Sequence, residues 1–348
     1  MAIEATTIAS RAWQETVNER PTDDARDVGL DEVLVLTYRK GFWASEECEL
    51  FPRRLYGRIV HGHSTHWLNT VLLGARALAT FARRRPKLLL FGSAHRLVPV
   101  YLVLRRLRLV RTPAIVTNQV YFGPRHAHFA SRVIVYSRRE AERHPHYAYV
   151  PIPADGAFDD VVAHVEGEPY VFAGGGTLRD FRSVIDAVAD TELRLTIVTH
   201  SPETLGVEGP LPHNCRVLWR MPLETFLSYM AGSAVVVVPL HAGETPHGHT
   251  TLAQALCLGK AVVTTRGASV ADYVRDGQEG LLVEPGDVGG YRRAIRRLLD
   301  DEDFRRTCER RAKSRAPEFS YAAFARSLRA LCAKVVAEQR SGAATPAG

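Results

Sequence analysis

Residues 239–265 read PLHAGETPHGHTTLAQALCLGKAVVTT and contain three structural patterns in a fixed order. A buried strand is predicted at 234–239, because an unbroken apolar run there ends in proline. A polar loop with glycine follows, and the spacing of the apolar residues then predicts a helix at 250–258 and a strand at 261–265. This order is typical of a βαβ unit in a parallel sheet, and ligands bind such sheets at the carboxyl ends of the strands.

The alternation of strands and helices continues on both sides of this stretch. Further strands are predicted at residues 32–37, 87–91, 114–118, 132–137, 170–173, 193–199, 216–219 and 280–283. Repeated βαβ units predict an α/β fold with mainly parallel, doubly wound sheets. A segment rich in proline, glycine and acidic residues interrupts the alternation and indicates a linker. We therefore expect a polar tail at 1–29, a Rossmann-like domain at 30–152, a linker at 153–168, a second Rossmann-like domain at 169–331, and a helix end with a tail at 332–348.

The composition describes a globular protein, because 46% of the 348 residues are hydrophobic. No apolar run reaches the roughly 18 residues that a membrane-spanning helix needs. The N-terminus lacks a basic region followed by an apolar stretch, so no export signal is expected. The five cysteines form no CxxC pair, which argues against a zinc site or a disulfide framework. This cysteine usage fits the reduced cytosol, and we expect a cytoplasmic protein.

The formal net charge is +7, and nearly all of the cations are arginines. Basic clusters at residues 83–87, 105–111 and 292–297 are interleaved with leucines at helical spacing. Solvated helix faces are the first interpretation, and peripheral contact with the anionic inner face of a membrane is the second. Nucleic acid is not an expected partner, because no aromatic platform or groove-reading motif accompanies the charge.

The loop at residues 243–254 leads into a predicted helix N-terminus, where backbone N–H groups and the helix dipole favour an anion. Gly248 allows the backbone to approach a ligand closely. Thr250 and Thr251 are suited to cap the helix or to donate their hydroxyl groups to a phosphate. A plain N-cap explains the two threonines equally well.

Three blocks carry a family resemblance. The sequences ASRVIVYSRREAE at 130–142 (followed by YVPIP at 149–153), QALCLGKAVV at 254–263 and GQEGLLVEPGD at 277–287 occur in this order. They resemble blocks of the retaining glycosyltransferases of family four. The resemblance implies the GT-B fold, in which two Rossmann-like domains with parallel sheets face each other across a cleft. It also implies sugar transfer from a nucleoside diphosphate sugar, the co-substrate, to a hydroxyl acceptor with retention of configuration, and no permanently bound cofactor.

The resemblance also implies a donor site. A glycine turn with a nearby basic residue contacts the donor diphosphate in the family, and Arg179 is the candidate here, because a guanidinium matches phosphate oxygens. A surface arginine on the first turn of a helix is the alternative. Asp180 is expected to cap that helix or to hold Arg179. The donor-binding candidates are Gly174, Gly175, Arg179, Gly248, His249, Thr250, Thr251, Leu252 and Gln254.

The loop departs from the family pattern at the glutamate that the resemblance assigns to the sugar hydroxyls. The family has two glutamates eight positions apart. The second falls on Gln254, whose amide still suits a ribose hydroxyl, whereas the first falls on Pro246, which has no functional group. Glu244, His247 and His249 are the candidates to replace it. Of these, Glu244 and His249 are the catalytic candidates.

The first domain offers a less specific pattern for the acceptor. The family's acceptor-side histidine tends to follow the strand that here is predicted at 114–118, and no histidine stands there. Polar residues at that strand end and histidines in the neighbouring loops are the alternatives. The acceptor-side candidates are therefore His95, Asn118, Gln119 and His126, with His128 beside the last.

Three histidines, His61, His63 and His66, have spacings that occur in metal sites. No carboxylate or cysteine completes the set, so no metal is expected. The resemblance likewise implies an enzyme that needs no metal. Solvated or capping histidines are the expectation.

Two other functions fit the sequence. A sugar-nucleotide epimerase shares the fold and would act on the donor alone. A non-catalytic nucleotide-binding subunit fits the departure from the glutamate pair. The acceptor is either a small molecule or lipid-linked, in natural-product or cell-envelope glycan biosynthesis.

Overall fold

Two parallel sheets, each with six strands, form the framework of the described chain. The computed structural model describes residues 33–37, 54–56, 66–92, 97–117, 130–154, 156, 158–165, 167–243, 247–268 and 270–341. The chain divides into two compact units. The first contains residues 1–135, 144–150 and 324–348, and the second contains residues 136–143 and 151–323.

The sheet of the first unit has the strand order β2-β1-β3-β4-β5-β6, and all of its pairs are parallel. Its strands are short apolar runs, and in β1 all five residues are buried. Such runs are typical of parallel strands covered on both faces. The strands are β1 (Val33–Thr37), β2 (Arg54–Tyr56), β3 (Leu88–Phe91), β4 (Ala114–Thr117), β5 (Arg132–Val135) and β6 (Tyr147–Tyr149), and the helices between them are α1 (His66–Arg84) and α2 (Val98–Arg106).

The sheet of the second unit has the order β12-β11-β10-β7-β8-β9, again with parallel pairs throughout. Its strands are β7 (Val171–Gly174), β8 (Leu195–Thr199), β9 (Cys215–Trp219), β10 (Val235–Val238), β11 (Val262–Thr265) and β12 (Gly280–Val283). The remaining helices are α3 (Arg138–Ala141), α4 (Phe181–Val188), α5 (Pro202–Leu205), α6 (Leu223–Gly232), α7 (His249–Cys257), α8 (Val288–Asp300), α9 (Glu302–Arg315) and α10 (Tyr321–Arg340), with a 3-10 turn at Ala316–Phe319.

The strand order of the second sheet contains a topological switch point. From β7 the chain proceeds outward to β8 and β9, and then returns to the other side of β7 to form β10. Val171 of β7 pairs with Val235 of β10. In such sheets the loops that leave the two central strands diverge and leave a crevice at their carboxyl ends, where ligands bind. The loops after β7 and β10 therefore border the expected ligand position.

Two apolar clusters cover opposite faces of this sheet. Val235 and Val237 of β10 belong to one cluster, and Val236 and Val238 belong to the other. This alternation follows from the two-residue period of a strand. Helix α7 packs into the second cluster through a row of fully buried residues that includes Leu252. Its packing fixes the N-terminus of α7 beside the end of β10.

The prediction of an α/β fold with doubly wound parallel sheets is confirmed. The division into units differs from the sequence-based division at residues 136–143, 151–152 and 324–331. The backbone N–H of Arg138 donates to Asp272 at 2.8 Å, which attaches the first of these segments to the second unit. Arg132 of β5 forms a two-point ion pair with Glu338 of α10, at 2.7 and 2.9 Å, inside the first unit. The predicted tail at 1–29 lies outside the described residues.

Among the residues that the structure describes, each helix is too short or too polar to cross a bilayer.

Candidate functional site

The turn after β7 is built from three glycines. Gly175 has a φ of +111°, a conformation that residues with a side chain rarely adopt. A Cβ on Gly175 would also collide with the guanidinium of Arg179, and a Cβ on Gly176 would collide with the ring of His200. The glycines therefore let two basic side chains fold over the carboxyl end of the strand.

Arg179 is buried at the switch point, and its side chain joins the loop after β7 to helix α7. Its residue surface is 7% exposed. The Nε group donates to the carbonyl of Gly174 at 3.1 Å, and Nη1 donates to the carbonyl of Thr177 at 2.8 Å. Nη2 donates to the hydroxyl of Thr251 at 3.0 Å. The alternative of a surface arginine is therefore wrong.

Backbone hydrogen bonds hold the two loops of the switch point against each other. Arg179 and Leu240 form an antiparallel bridge. The N–H of Asp180 donates to the carbonyl of Pro239 at 3.2 Å. On the other side of the bridge, the N–H of His241 donates to the carbonyl of Leu178 at 3.3 Å. The backbone around Arg179 is thus set by both loops.

The charge of Arg179 has no opposite charge beside it in the described part of the chain. Its three acceptors are uncharged oxygens, and no described carboxylate forms an ion pair with it. Burial lowers the pKa of Arg179 to about 10, so the group is still a cation at neutral pH. A buried cation without a partner is costly to a protein. An anionic ligand would supply the missing charge.

The N-terminus of α7 supplies a second feature that favours an anion. The helix begins at His249, with Gly248 as its N-cap in the left-handed conformation, at a φ of +86°. A Cβ on Gly248 would lie 2.9 Å from Cδ2 of Leu240. Since the cap is glycine, the N-cap residue has no side chain that could accept a hydrogen bond from the first turn. The positive end of the helix dipole therefore meets the loop without a side chain from the N-cap residue.

Threonine capping of α7 was expected as one alternative, and the structure corrects it. The helix starts one residue earlier than predicted, so Thr250 and Thr251 lie inside its first turn. Thr250 is exposed. Thr251 is buried and accepts from Arg179. Asp180, in contrast, caps α4, because its carboxylate accepts hydrogen bonds from the backbone N–H and the hydroxyl of Ser183. Capping was one of the two roles expected of Asp180.

His249 and Gln254 are both 4% exposed on α7. The ring of His249 stacks on Tyr273, with centroids 4.8 Å apart and planes at 13°. Tyr136 meets the same ring edge-on at 6.4 Å. The hydroxyl of Tyr273 donates to the carbonyl of Tyr136 at 3.0 Å, which fixes the two tyrosines relative to each other. His249 is thus held by aromatic contacts. Gln254 follows Thr251 by three residues and shares its side of the helix.

A buried carboxylate, that of Glu140, follows Tyr136 by four residues in the chain. Glu140 is 6% exposed, and its Oε2 has no hydrogen-bond partner among the described residues. Burial raises the pKa of Glu140 to about 7, against the opposing effects of Arg143 and of a backbone hydrogen bond at Tyr136. Sequence reasoning missed this group, because Ser137-Arg-Arg-Glu140 reads as an ordinary helix N-terminus.

Two more loops at the same edge of the sheet carry side chains that sequence reasoning missed. His200 follows β8, and Trp219, which is 39% exposed, ends β9. Arg220 has a φ of +52° and donates from Nε to the carbonyl of His200 at 3.1 Å. The signal that could have found them is their place at the ends of predicted strands next to the glycine turn.

Several predicted residues fall outside the described part of the chain. Glu244, one of the two catalytic candidates, is among them, and so is Pro246. The same holds for the acceptor-side candidates His95, Asn118, Gln119 and His126, and for His61, His63 and His128. In the part that is described, no three histidines, cysteines or acidic residues come together as a set that would hold a metal ion.

The segment that contains these residues matches a known protein family. Residues 177–301, which include Arg179 and all of α7, match the family described as "Glycosyl transferases group 1". The lipopolysaccharide core biosynthesis glycosyltransferase LpsE of Rhizobium meliloti is 32% identical over 103 residues, which cover 29% of this chain and 28% of that protein. The D-inositol 3-phosphate glycosyltransferase of Acidothermus cellulolyticus is 36% identical over 80 residues, 23% of this chain and 17% of that protein. The chain thus matches less than a third of the length of either relative.

Solved structures show the same fold. The Anabaena protein Alr3699/HepE, in complex with UDP and glucose, has a TM-score of 0.63 at 15% identity and covers 87% of this chain and 99% of its own. Sucrose-phosphate synthase from Thermosynechococcus elongatus has a TM-score of 0.64 at 14% identity, with 88% and 99% covered. The expected GT-B fold is confirmed. Residues 177–301 therefore match the model of the group 1 glycosyl transferases, in a chain with the GT-B fold.

Proposed function

We propose that the protein transfers a sugar from a nucleoside diphosphate sugar to a hydroxyl acceptor. The observation that carries this proposal is the buried guanidinium of Arg179, which has no described carboxylate beside it and lies against Thr251 of α7. A diphosphate is the anion that fits, because the group 1 glycosyl transferase match covers both residues. The Anabaena protein of similar fold was solved with UDP and with UDP-glucose, which supports a donor of this class.

The difficult step of such a transfer is the development of negative charge on the leaving diphosphate. Three of the five N–H groups of Arg179 are used by uncharged acceptors. We infer that the others face the phosphate oxygens, together with the N–H groups of residues 249–251. The N–H of Leu252, which was among the donor-binding candidates, is excluded because it donates to the carbonyl of Gly248 at 3.0 Å. Donors that are already in place when the charge develops lower the barrier, because they need no reorganisation. Gly174, Gly175 and Gly248 then allow the backbone to approach the diphosphate.

The remaining donor contacts follow from the same geometry. We propose that the exposed hydroxyl of Thr250 contacts a phosphate and that Gln254 contacts the ribose. His249 is proposed to face the sugar, and its stacking on Tyr273 would fix the orientation of its ring. Glu244 stays proposed as a carboxylate for the sugar hydroxyls. Trp219 offers an aromatic face on which a nucleobase can stack.

The finer features of the reaction are also proposals. We expect retention of configuration, no metal and no permanently bound cofactor. LpsE is named for lipopolysaccharide core biosynthesis, and the Acidothermus relative is named for D-inositol 3-phosphate. These names support an acceptor rich in hydroxyl groups, either small or lipid-linked, in cell-envelope glycan or natural-product biosynthesis. We propose a cytoplasmic enzyme, with peripheral contact at the inner membrane face.

A second candidate function is a non-catalytic nucleotide-binding subunit. The observation that favours it is Pro246, which stands where the family has a glutamate. Such a subunit would bind the donor without turnover. Incubation with donor alone and with a panel of hydroxyl acceptors separates the two functions, because only an enzyme releases nucleoside diphosphate. An epimerase would instead convert the donor without any acceptor.

A thermal-shift panel of nucleoside diphosphates and their sugars tests the donor site. Stabilisation should follow mass action for a true donor and rise with its concentration. The Arg179→Ala variant should lose most of this stabilisation. Arg182→Ala is the matched control, because Arg182 is an exposed residue of α4 paired only with Asp186 among the described residues. If no nucleotide stabilises the protein, or if both variants respond like wild type, the donor site is wrong.

A further inference from the structure

The first unit carries apolar side chains on the outer faces of two helices. On α1, Val71, Leu72 and Leu78 are 56%, 59% and 61% exposed. On and just after α2, large apolar residues are exposed to a similar or greater degree; they are Val100, Val103, Leu107 and Leu109. Single exposed leucines are ordinary in proteins, but a group of seven on two helices is a patch.

The exposed apolar residues follow helical spacing. On α1, Val71, Ala75, Leu78 and Ala82 are three or four residues apart, and all four are exposed. Val100 and Val103 of α2 and Leu107 at its C-cap repeat this spacing. Side chains three and four residues apart lie on one face of a helix. Each helix therefore turns an apolar stripe outward, the reverse of the usual arrangement.

The two helices lie side by side on one face of their sheet. Helix α1 connects β2 to β3, and α2 connects β3 to β4. Both connections move in the same direction along the sheet order. Right-handed crossovers in one direction place their helices on the same face. Contact supports this placement, because a Cβ on Gly74 of α1 would lie 3.5 Å from Leu97 at the start of α2.

The chain segment that carries this patch has charges of a single sign. Residues 50–139 contain 17 lysines and arginines and no aspartate or glutamate. Exposed cations flank both stripes at Arg76, Arg83, Arg84, Arg106 and Arg108. Soluble surfaces usually mix both signs. A second copy is a poor occupant, because a two-fold contact through this face would oppose cations to cations.

We propose that the outer faces of α1 and α2 dock the first unit onto an anionic lipid bilayer, with the apolar stripes in the interface and the arginines at the phosphate level. This combination of apolar and cationic side chains is what interfacial binding requires. The inference rests on the peripheral membrane contact proposed above and assigns it a surface. It does not depend on sugar transfer, because the residues of the proposed donor site belong to the second unit. It would bring a lipid-linked acceptor to the first unit.

Vesicle co-sedimentation of the full chain tests the proposal. Vesicles of phosphatidylcholine with phosphatidylglycerol should bind the protein, and vesicles of phosphatidylcholine alone should not. Added salt should weaken binding, since screening reduces the attraction of exposed charges. The triple variant Leu72→Ser/Leu78→Ser/Val103→Ser should lose roughly tenfold or more in affinity, because three apolar anchors are removed.

A matched control separates the effect of the patch substitutions from the effect of replacing any exposed apolar residues with serine. Val162 and Val165 of the second unit are 81% and 84% exposed, so Val162→Ser/Val165→Ser should bind vesicles like wild type. The patch variant should keep its melting temperature and its thermal response to nucleoside diphosphates, which distinguishes this proposal from the donor site. The proposal is overturned if wild type ignores anionic vesicles or if the triple variant binds them equally well. It is also overturned if the patch proves to hold a dimer that the triple variant dissociates.

Discussion

Arg179 donates a hydrogen bond to the hydroxyl of Thr251 across 3.0 Å, although the two residues are 72 positions apart in the chain. This contact links the turn after β7 to the first turn of α7. It brings the guanidinium and the helix N-terminus to the same point at the carboxyl edge of the sheet. In the proposed donor site, a side-chain cation and a helix dipole would then act on the same anion.

Loss of the Arg179 guanidinium should weaken binding of the donor more than it lowers the stability of the fold. Charge-assisted hydrogen bonds contribute about 1.5–3 kcal/mol each, so Arg179→Ala should raise the Kd of the cognate nucleoside diphosphate sugar on the order of 10- to 100-fold. Isothermal titration calorimetry measures this change. Arg179→Lys should recover part of the loss, since it keeps the charge without the planar fork. Equal affinity in all three proteins would remove Arg179 from the site.

Thr251 is expected to act by positioning Arg179. Thr251→Val preserves the shape of the side chain and removes the acceptor, so the Kd should rise by about 3- to 10-fold, the equivalent of roughly 1 kcal/mol. Thr251→Ser should behave like wild type. A double-mutant cycle with Arg179→Lys provides the specific readout, because residues in contact give non-additive effects. Strict additivity would show that the two side chains act separately.

The backbone conformation at position 248 should require glycine. Its φ of +86° and the 2.9 Å approach of Leu240 to an added Cβ both oppose a side chain. Gly248→Ala should therefore lower the free energy of unfolding by about 1–3 kcal/mol. Gly243→Ala is the matched control, because the space around Gly243 is open. Chemical denaturation of both variants measures the difference, and equal stability would contradict the assigned cap.

Glu140 should make stability depend on pH. Its pKa is raised from 4.5 to about 7 in the folded protein, so ionisation is opposed by the fold. The cost is absent below pH 4.5, grows as the pH rises and is complete above about 7. Glu140→Gln should therefore stabilise the protein by about 1–2 kcal/mol at pH 8 and have little effect at pH 4.5.

The neighbouring exposed residue provides the control for this experiment. Glu142→Gln should leave the free energy of unfolding unchanged at both pH values, because Glu142 lies at the surface. Urea denaturation at pH 4.5 and pH 8 compares the three proteins. A stabilisation by Glu140→Gln that is the same at both values would show that Glu140 does not titrate with a raised pKa.

Sequence patterns predicted the parts of the site that depend on local structure. The apolar run of β10, the glycine before α7 and the placement of Arg179 after a glycine turn are all local features. The start of α7 was predicted one residue late, because Gly248 in the left-handed conformation caps the helix in place of a threonine. Boundaries of this kind depend on a single dihedral angle that composition does not fix.

Contacts between distant segments were beyond prediction. The aromatic stack on His249 joins Tyr136 and Tyr273, which come from separate parts of the second unit. The attachment of residues 136–143 to the second unit depends on Asp272, and the return of α10 to the first unit depends on Glu338. Hydrophobic periodicity carries no information about such pairs. The burial of Arg179 was also hidden, because arginine is rarely buried.

The central claim is that Arg179 and the N-terminus of α7 bind the donor diphosphate. The preference of the protein for a nucleoside diphosphate over the matching monophosphate tests this claim most directly. Calorimetric titration should compare the cognate nucleoside diphosphate with the matching monophosphate, in wild type and in the Arg179→Ala and Arg182→Ala variants. The account predicts that wild type and Arg182→Ala bind the diphosphate at least about tenfold more tightly, and that Arg179→Ala loses this preference. A preference for the diphosphate that survives in Arg179→Ala would contradict a donor site built on Arg179 and the N-terminus of α7.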